Sequence, residues 1–126
     1  MNTNNVISLP AAADLTGKEH FCVKMTTTGV NLATSADSAI LLGTLHRAMP
    51  RQEDGVYLGK AVAVFRRYAG VHYAVIGNSS AAVAQGATLG LDAANPGKLV
   101  PGGTTVAIAS DAFTAADGAI VNVIFV

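Results

Sequence analysis

Residues 85–126 read Q-G-A-T-L-G-L-D-A-A-N-P-G-K-L-V-P-G-G-T-T-V-A-I-A-S-D-A-F-T-A-A-D-G-A-I-V-N-V-I-F-V. Short β-forming runs (Thr88-Leu89-Gly90-Leu91, Lys98-Leu99-Val100, residues 104–109 and residues 119–126) are divided by Asn95-Pro96-Gly97, Pro101-Gly102-Gly103 and Asp117-Gly118. Pro presets one turn dihedral and Gly supplies a positive φ, so each cluster reverses the chain. Strands at this spacing predict a mainly β protein, a small single-domain β-sandwich or β-barrel.

Towards the N-terminus the same signals recur. Residues 71–76 and 56–68 alternate in polarity and are joined by Ala69-Gly70, which predicts a hairpin. In the second of these runs Val62 and Val64 face one way and Ala61, Ala63 and Phe65 the other. Ala39-Ile40-Leu41-Leu42-Gly43-Thr44-Leu45 is a continuous apolar run that reads as a buried strand. His20 to Met25 alternates, with Phe21, Val23 and Met25 on one face, and Val30-Asn31-Leu32 is extended. Residues 1–9 read as a flexible N-terminal arm, of which Val6-Ile7-Ser8-Leu9 can pair as an edge strand; residues 10–126 form the single β-rich domain. At most one short helix is expected, at Ser79-Ser80-Ala81-Ala82-Val83-Ala84-Gln85, with a Ser cap and Gly86 as its stop. No exact internal repeat and no linker divides the chain.

The chain has 126 residues, 51% of them hydrophobic and 13% charged, against a usual ~25% charged. Aromatic residues are few and Trp is absent, so the core is built from Val, Ile, Leu and Ala. Eight basic and eight acidic residues cancel, which argues against a general nucleic-acid or membrane-surface binder. The single Cys22 excludes an intrachain disulfide and reads as a small hydrophobe within a strand. No basic segment followed by an apolar core marks a secretory signal, which predicts a protein made and left in a cytosol. No apolar run approaches the ~20 residues of a membrane helix.

Catalytic patterns are not met. His20, His46 and His72 lack metal-ligand spacing. Asp92, Asp111 and Asp117 stand at turn positions, where Asx hydrogen bonding is the usual role of the side chain. Gly97-Lys98 lacks the remaining residues of a phosphate loop, and no nucleophile elbow occurs. We therefore assign no catalytic, cofactor-binding or metal-ligating residue, and expect no enzyme and no cofactor. His20, His72 and Tyr73 are the one polar cluster that a small ligand-binding barrel would use.

The most distinctive segment is basic. Arg47, Arg51, Lys60, Arg66 and Arg67 fall within 22 positions, opposed only by Glu53 and Asp54. Arg beside Tyr, as in Arg66-Arg67-Tyr68, is enriched at interfaces and also suits single-stranded nucleic acid. The residues assigned to partner contact are Val6, Ile7, Leu9, Arg47, Arg51, Arg66, Arg67 and Tyr68.

Three segments in order, A-D-L-T-G-K-E-H-F-C-V-K-M (residues 13–25), T-G-V-N-L-A (residues 28–33) and A-I-L-L-G-T-L (residues 39–45), resemble the capsid cement, or head decoration, proteins of tailed bacteriophages. Gln85-Gly86-Ala87-Thr88-Leu89, Asp92 with Gly97-Lys98-Leu99-Val100, and the last alternating strand extend the resemblance over most of the chain. Residues 47–68 depart from it, being longer and more charged. The resemblance implies a tulip-like β fold and a structural virion protein on the capsid outer surface, stabilising the head. Its implied partners are the major capsid protein and two further copies in a homotrimer, with no direct nucleic acid and no membrane. Another tail or spike component, or a small β-barrel binding a ligand or single-stranded DNA, are the alternatives that the sequence leaves open.

Overall fold

The computed structural model describes residues 6–15, 17–47, 61–77 and 82–126. Its first five strands are β1 (Val6–Pro10), β2 (Cys22–Thr26), β3 (Gly29–Leu32), β4 (Leu41–Arg47) and β5 (Ala61–Arg66). The next seven are β6 (Val71–Val75), β7 (Ala82–Val83), β8 (Thr88–Leu91), β9 (Leu99–Pro101), β10 (Thr105–Ala109), β11 (Phe113–Thr114) and β12 (Ile120–Phe125). One antiparallel sheet has the order β1-β5-β4-β2-β3, a second has the order β6-β12-β10-β8-β9, and β7 and β11 form a two-stranded ribbon.

Each sheet curls until its edges meet at one point. In the first, Ala11 forms an isolated parallel bridge to Val30, and the Ala12 N–H donates to the Val30 carbonyl at 2.8 Å. In the second, Ile76 bridges Leu99 in the same sense, and the Gly77 N–H donates to Leu99 at 2.8 Å. The result is two open rolls rather than closed barrels. Alternation sends Val23, Val30, Leu45, Val62 and Val64 into the first roll, where Ala11 and Leu15 complete the cluster. The second roll holds Ala74, Ile76, Leu89, Leu99, Val106, Ala109 and Val123, with Val83 and Ala115 from the ribbon and its flank. Each such Leu, Ile or Val contributes about 1.5–3 kcal/mol through burial.

The two rolls repeat one design. Reading β1, β2, β3, β4, β5 against β6, β8, β9, β10, β12, the strand order is the same and every pairing is antiparallel in both. One irregularity is shared, whereas the β4–β5 ladder also skips His46 and the corresponding β10–β12 ladder skips nothing. The β2–β4 ladder skips Leu42, and the β8–β10 ladder skips Val106 at the corresponding place. His20 N–H donates to Leu45 and Leu45 N–H to Phe21 (2.7 and 2.8 Å); Gly86 N–H donates to Ala109 and Ala109 N–H to Ala87 (2.8 and 2.9 Å). The chain is thus a structural duplication, although no exact sequence repeat accompanies it.

The mainly β fold agrees with the sequence reading, and Cys22 is a fully buried strand residue. Val6–Pro10 pair with β5 as an edge strand, while residues 1–5 lie outside the described residues. Two local expectations are corrected. β5 and β6 do not form a hairpin: β5 pairs with β1 and β4, β6 pairs with β12, and residues 67–70 carry the chain from one roll to the other. Among the described residues the one short helix is a 3₁₀ segment at Ser35–Ile40, whereas Ala82 and Val83 of the expected helix form β7 against Phe113–Thr114; residues 79–81 lie outside the described residues. A strand partner at β11 overrides the helix propensity of Ala there.

Candidate interaction surface

The link between the rolls positions the Arg/Tyr segment. Arg67 N–H continues the first sheet by donating to Leu42 at 2.9 Å, and Ala69 N–H donates to Arg66 at 3.1 Å to start the turn. A groove of ≈ 480 Å³ opens there, lined chiefly by Ile40, Leu41, Leu42, Arg66, Arg67 and Tyr68. Ile40 is 58% and Tyr68 73% exposed, so two large apolar side chains flank the groove. The Arg67 guanidinium carbon lies 5.2 Å from the Tyr68 ring centroid.

Arg67 itself faces inward. Its Nη1 donates to the Ser38 carbonyl at 3.2 Å and its Nη2 to the main-chain oxygen of Val126 at 2.7 Å, while Nε is buried without a hydrogen-bond partner. It ties the 3₁₀ segment of the first roll to the end of the second. Of the residues assigned to partner contact, Arg66, Tyr68 and Val6 are exposed. Ile7 and Leu9 are half-buried against the first roll's core. Arg47 ends β4, and Arg51 lies outside the described residues. The surface therefore brings Arg66 and Tyr68 together with Ile40.

A second exposed area was not read from the sequence. The β6–β12 register pairs Val71 with Ile124 and Tyr73 with Asn122 on the outer face, and exposed Ile120 with Val75, which is buried. Val71, Tyr73, Ile120 and Ile124 are 55%, 58%, 58% and 38% exposed. The signal was the alternation of residues 71–75 and 120–125, but alternation alone does not say which face is covered.

Four aspartates have local partners. Asp37 accepts from Lys24 Nζ (2.8 Å) and from the Thr34 N–H and hydroxyl (2.8 and 2.9 Å). The Lys24 hydrogen bond, followed by the Thr34 N–H, holds its carboxyl below the ordinary range. Burial alone would raise the Asp92 carboxyl, but the Asn95 amide and the Ala94 and Asn95 N–H groups outweigh it and lower its pKa. Asp92 thus makes the expected Asx turn. Asp117 pairs with Lys98 at 2.9 Å, and Asp111 accepts from Asn122 at 3.2 Å.

The polar cluster of the ligand-binding alternative does not converge. The His20 and Tyr73 rings meet edge to face at 5.4 Å, but His72 leaves the opposite face of β6. There its Nδ1 lies 2.6 Å from Thr44 Oγ1, and its ring lies 4.3 Å from Phe65 and 4.7 Å from Phe125. Among the described residues no three His, Cys, Asp or Glu side chains are grouped to hold a metal ion, and no helix is long and apolar enough to cross a membrane. Comparison with protein-family models and with curated protein sequences finds no match to this chain.

Proposed function

We propose that the protein is a structural virion component that binds the outer surface of a phage capsid and stabilises the head, as a homotrimer and without catalysis. The observation that carries this reading is the groove at the junction of the rolls, where Arg66 stands beside exposed Tyr68 and Ile40. Buried Tyr and Arg anchors dominate protein interfaces, and a basic groove suits acidic groups on a shell protein. The low charge of the chain and the sequence resemblance to cement proteins support the same role.

Co-sedimentation with expanded empty phage heads tests it. The expected result is saturable binding at a stoichiometry consistent with the shell's symmetry. The double variant Arg66→Ala/Tyr68→Ala should bind about thirtyfold more weakly, the weight of a typical hot spot, and with less salt dependence. Protein that stays in the supernatant at low salt would refute the role for those heads.

A further inference from the structure

One row of side chains crosses the outer face of the first roll: Cys22, Thr44, Phe65 and Val6, each paired with the next. Its counterpart on the second roll is Thr88, Ile108, Ile124 and Val71. The two rows have opposite fates. Within the chain the second roll covers most of the first row, leaving Cys22 and Thr44 at 0% and 2% exposure. The covering residue is His72, which bonds Thr44 and stacks on Phe65. The second row is uncovered: Ile124 and Val71 are 38% and 55% exposed, and Ile108 is only half-buried.

The residues that would cover it already exist in this chain. Ile7 is the counterpart of His72, because His72 pairs with Val123 and Ile7 with the corresponding Val64. Ile7 and Leu9, on the edge strand β1, are half-buried against the first roll's core. Each copy thus carries one uncovered row and one partly covered margin, and the internal junction shows how such surfaces pack. We propose that the Ile108–Ile124–Val71 row of one copy docks on the Ile7–Leu9 margin of a second copy of this chain, head to tail. A formal net charge of +0 adds no repulsion between copies. The uncovered row has Thr88 where the covered one has Cys22, so one end of it stays polar before association. Such a contact joins unlike surfaces, the heterologous arrangement from which cyclic rings are built when the rotation between copies closes. Only the number of copies, three, rests on the function proposed above.

The test is mass by light scattering over a concentration series, combined with disulfide trapping. The wild-type chain should reach the trimer mass. Chains carrying Ile7→Cys should cross-link to chains carrying Ile124→Cys when mixed and oxidised, and neither should cross-link to itself; native Cys22 is buried and does not compete. Ile124→Asp and Thr88→Arg alter surface positions and should retain the wild-type circular dichroism. Ile124→Asp should raise the dissociation constant about thirtyfold. A wild-type chain that stays monomeric throughout the series, or Ile124→Cys chains that cross-link to one another, overturns the proposal. Head binding is read separately by co-sedimentation, so a monomer that still binds heads removes this contact and leaves the capsid role standing.

Discussion

His72 is the residue on which the junction of the two rolls turns. It is 1% exposed, faced by the Thr44 hydroxyl, the Phe65 and Phe125 rings and the backbone at Arg66 and Arg67, and its Nε2 has no hydrogen-bond partner. Burial lowers its pKa from 6.5 to about 4, against the weaker opposing pull of the Arg66 and Arg67 backbone. The folded protein therefore holds it neutral, while the unfolded chain takes up a proton below 6.5. Stability is full above that value, falls as the pH drops towards about 4, and falls no further from this cause below it. The loss amounts to at most about 3 kcal/mol. His72→Gln keeps a polar partner for Thr44 and does not titrate. Urea midpoints between pH 6.5 and 4 should decline more steeply for the wild type than for this variant, and equal slopes would refute the assignment. Asp37 and Asp92, with pKa values held below 3.8, act below this window. Burial also pushes the Cys22 thiol up to about 12, against a smaller opposing effect of Arg67, so the thiolate is scarce at neutral pH. A thiol reagent at pH 8 should label Cys22 only under conditions that unfold the chain; rapid labelling of the native protein would contradict its place in the core.

Among the elements, the turns entering β2 and β8 show what the duplication demands and what it leaves open. His20 has φ +71°, the one positive φ at a non-glycine among the described residues, and Gly86 at the corresponding turn has φ +85°. Both donate to the equivalent carbonyl across the roll, so the left-handed conformation belongs to the turn and not to the side chain. Glycine adopts it freely, whereas another residue gives up about 1–2 kcal/mol. Gly86→Val should therefore destabilise by about 2 kcal/mol in denaturant titration. His20→Gly should be nearly neutral, because relief of strain offsets the lost ring contact with Tyr73, which is worth about 1 kcal/mol. Most strands were legible in sequence: β8, β9, β10 and β12 from the Gly and Pro turns beside them, and β1 to β6 from alternation or apolar runs, whereas β7 and β11 were not. Their pairing was not legible, because register is set by partners distant in sequence: β6 and β12 are separated by 44 residues between Val75 and Ile120. The duplication was hidden for the same reason. It lies in a skipped residue and a backbone dihedral, where Leu42 stands for Val106 and His20 for Gly86. Of the surface residues, Arg66 and Tyr68 were legible by type. Arg67 was not, because Ser38 and Val126, the groups that draw it inward, are 29 and 59 positions away.

At the scale of the whole molecule the two rolls are alike in plan and unequal in independence. The first roll's cluster is drawn entirely from its own residues, Ala11 to Val64. The second roll's cluster also contains Cys22, Ala33 and Leu41 of the first. Arg67 adds a strap across the junction, and Arg67→Ala should cost about 1–3 kcal/mol by removing its bonds to Ser38 and Val126. Chains of under about 60 residues are marginal even with a full core. A fragment of residues 71–126, deprived of three core side chains and of the cover over His72, should lack fixed tertiary structure. A fragment of residues 1–70 retains its complete cluster and should keep dispersed methyl resonances, with reduced stability. Mixing the two should restore structure in the second, because the first supplies the missing face of its core. The measurement is the methyl spectrum of each fragment alone and combined. A second fragment that folds unaided would show that its own Val, Leu and Ile suffice; that would make the duplicated units independent modules and the junction only a contact between them.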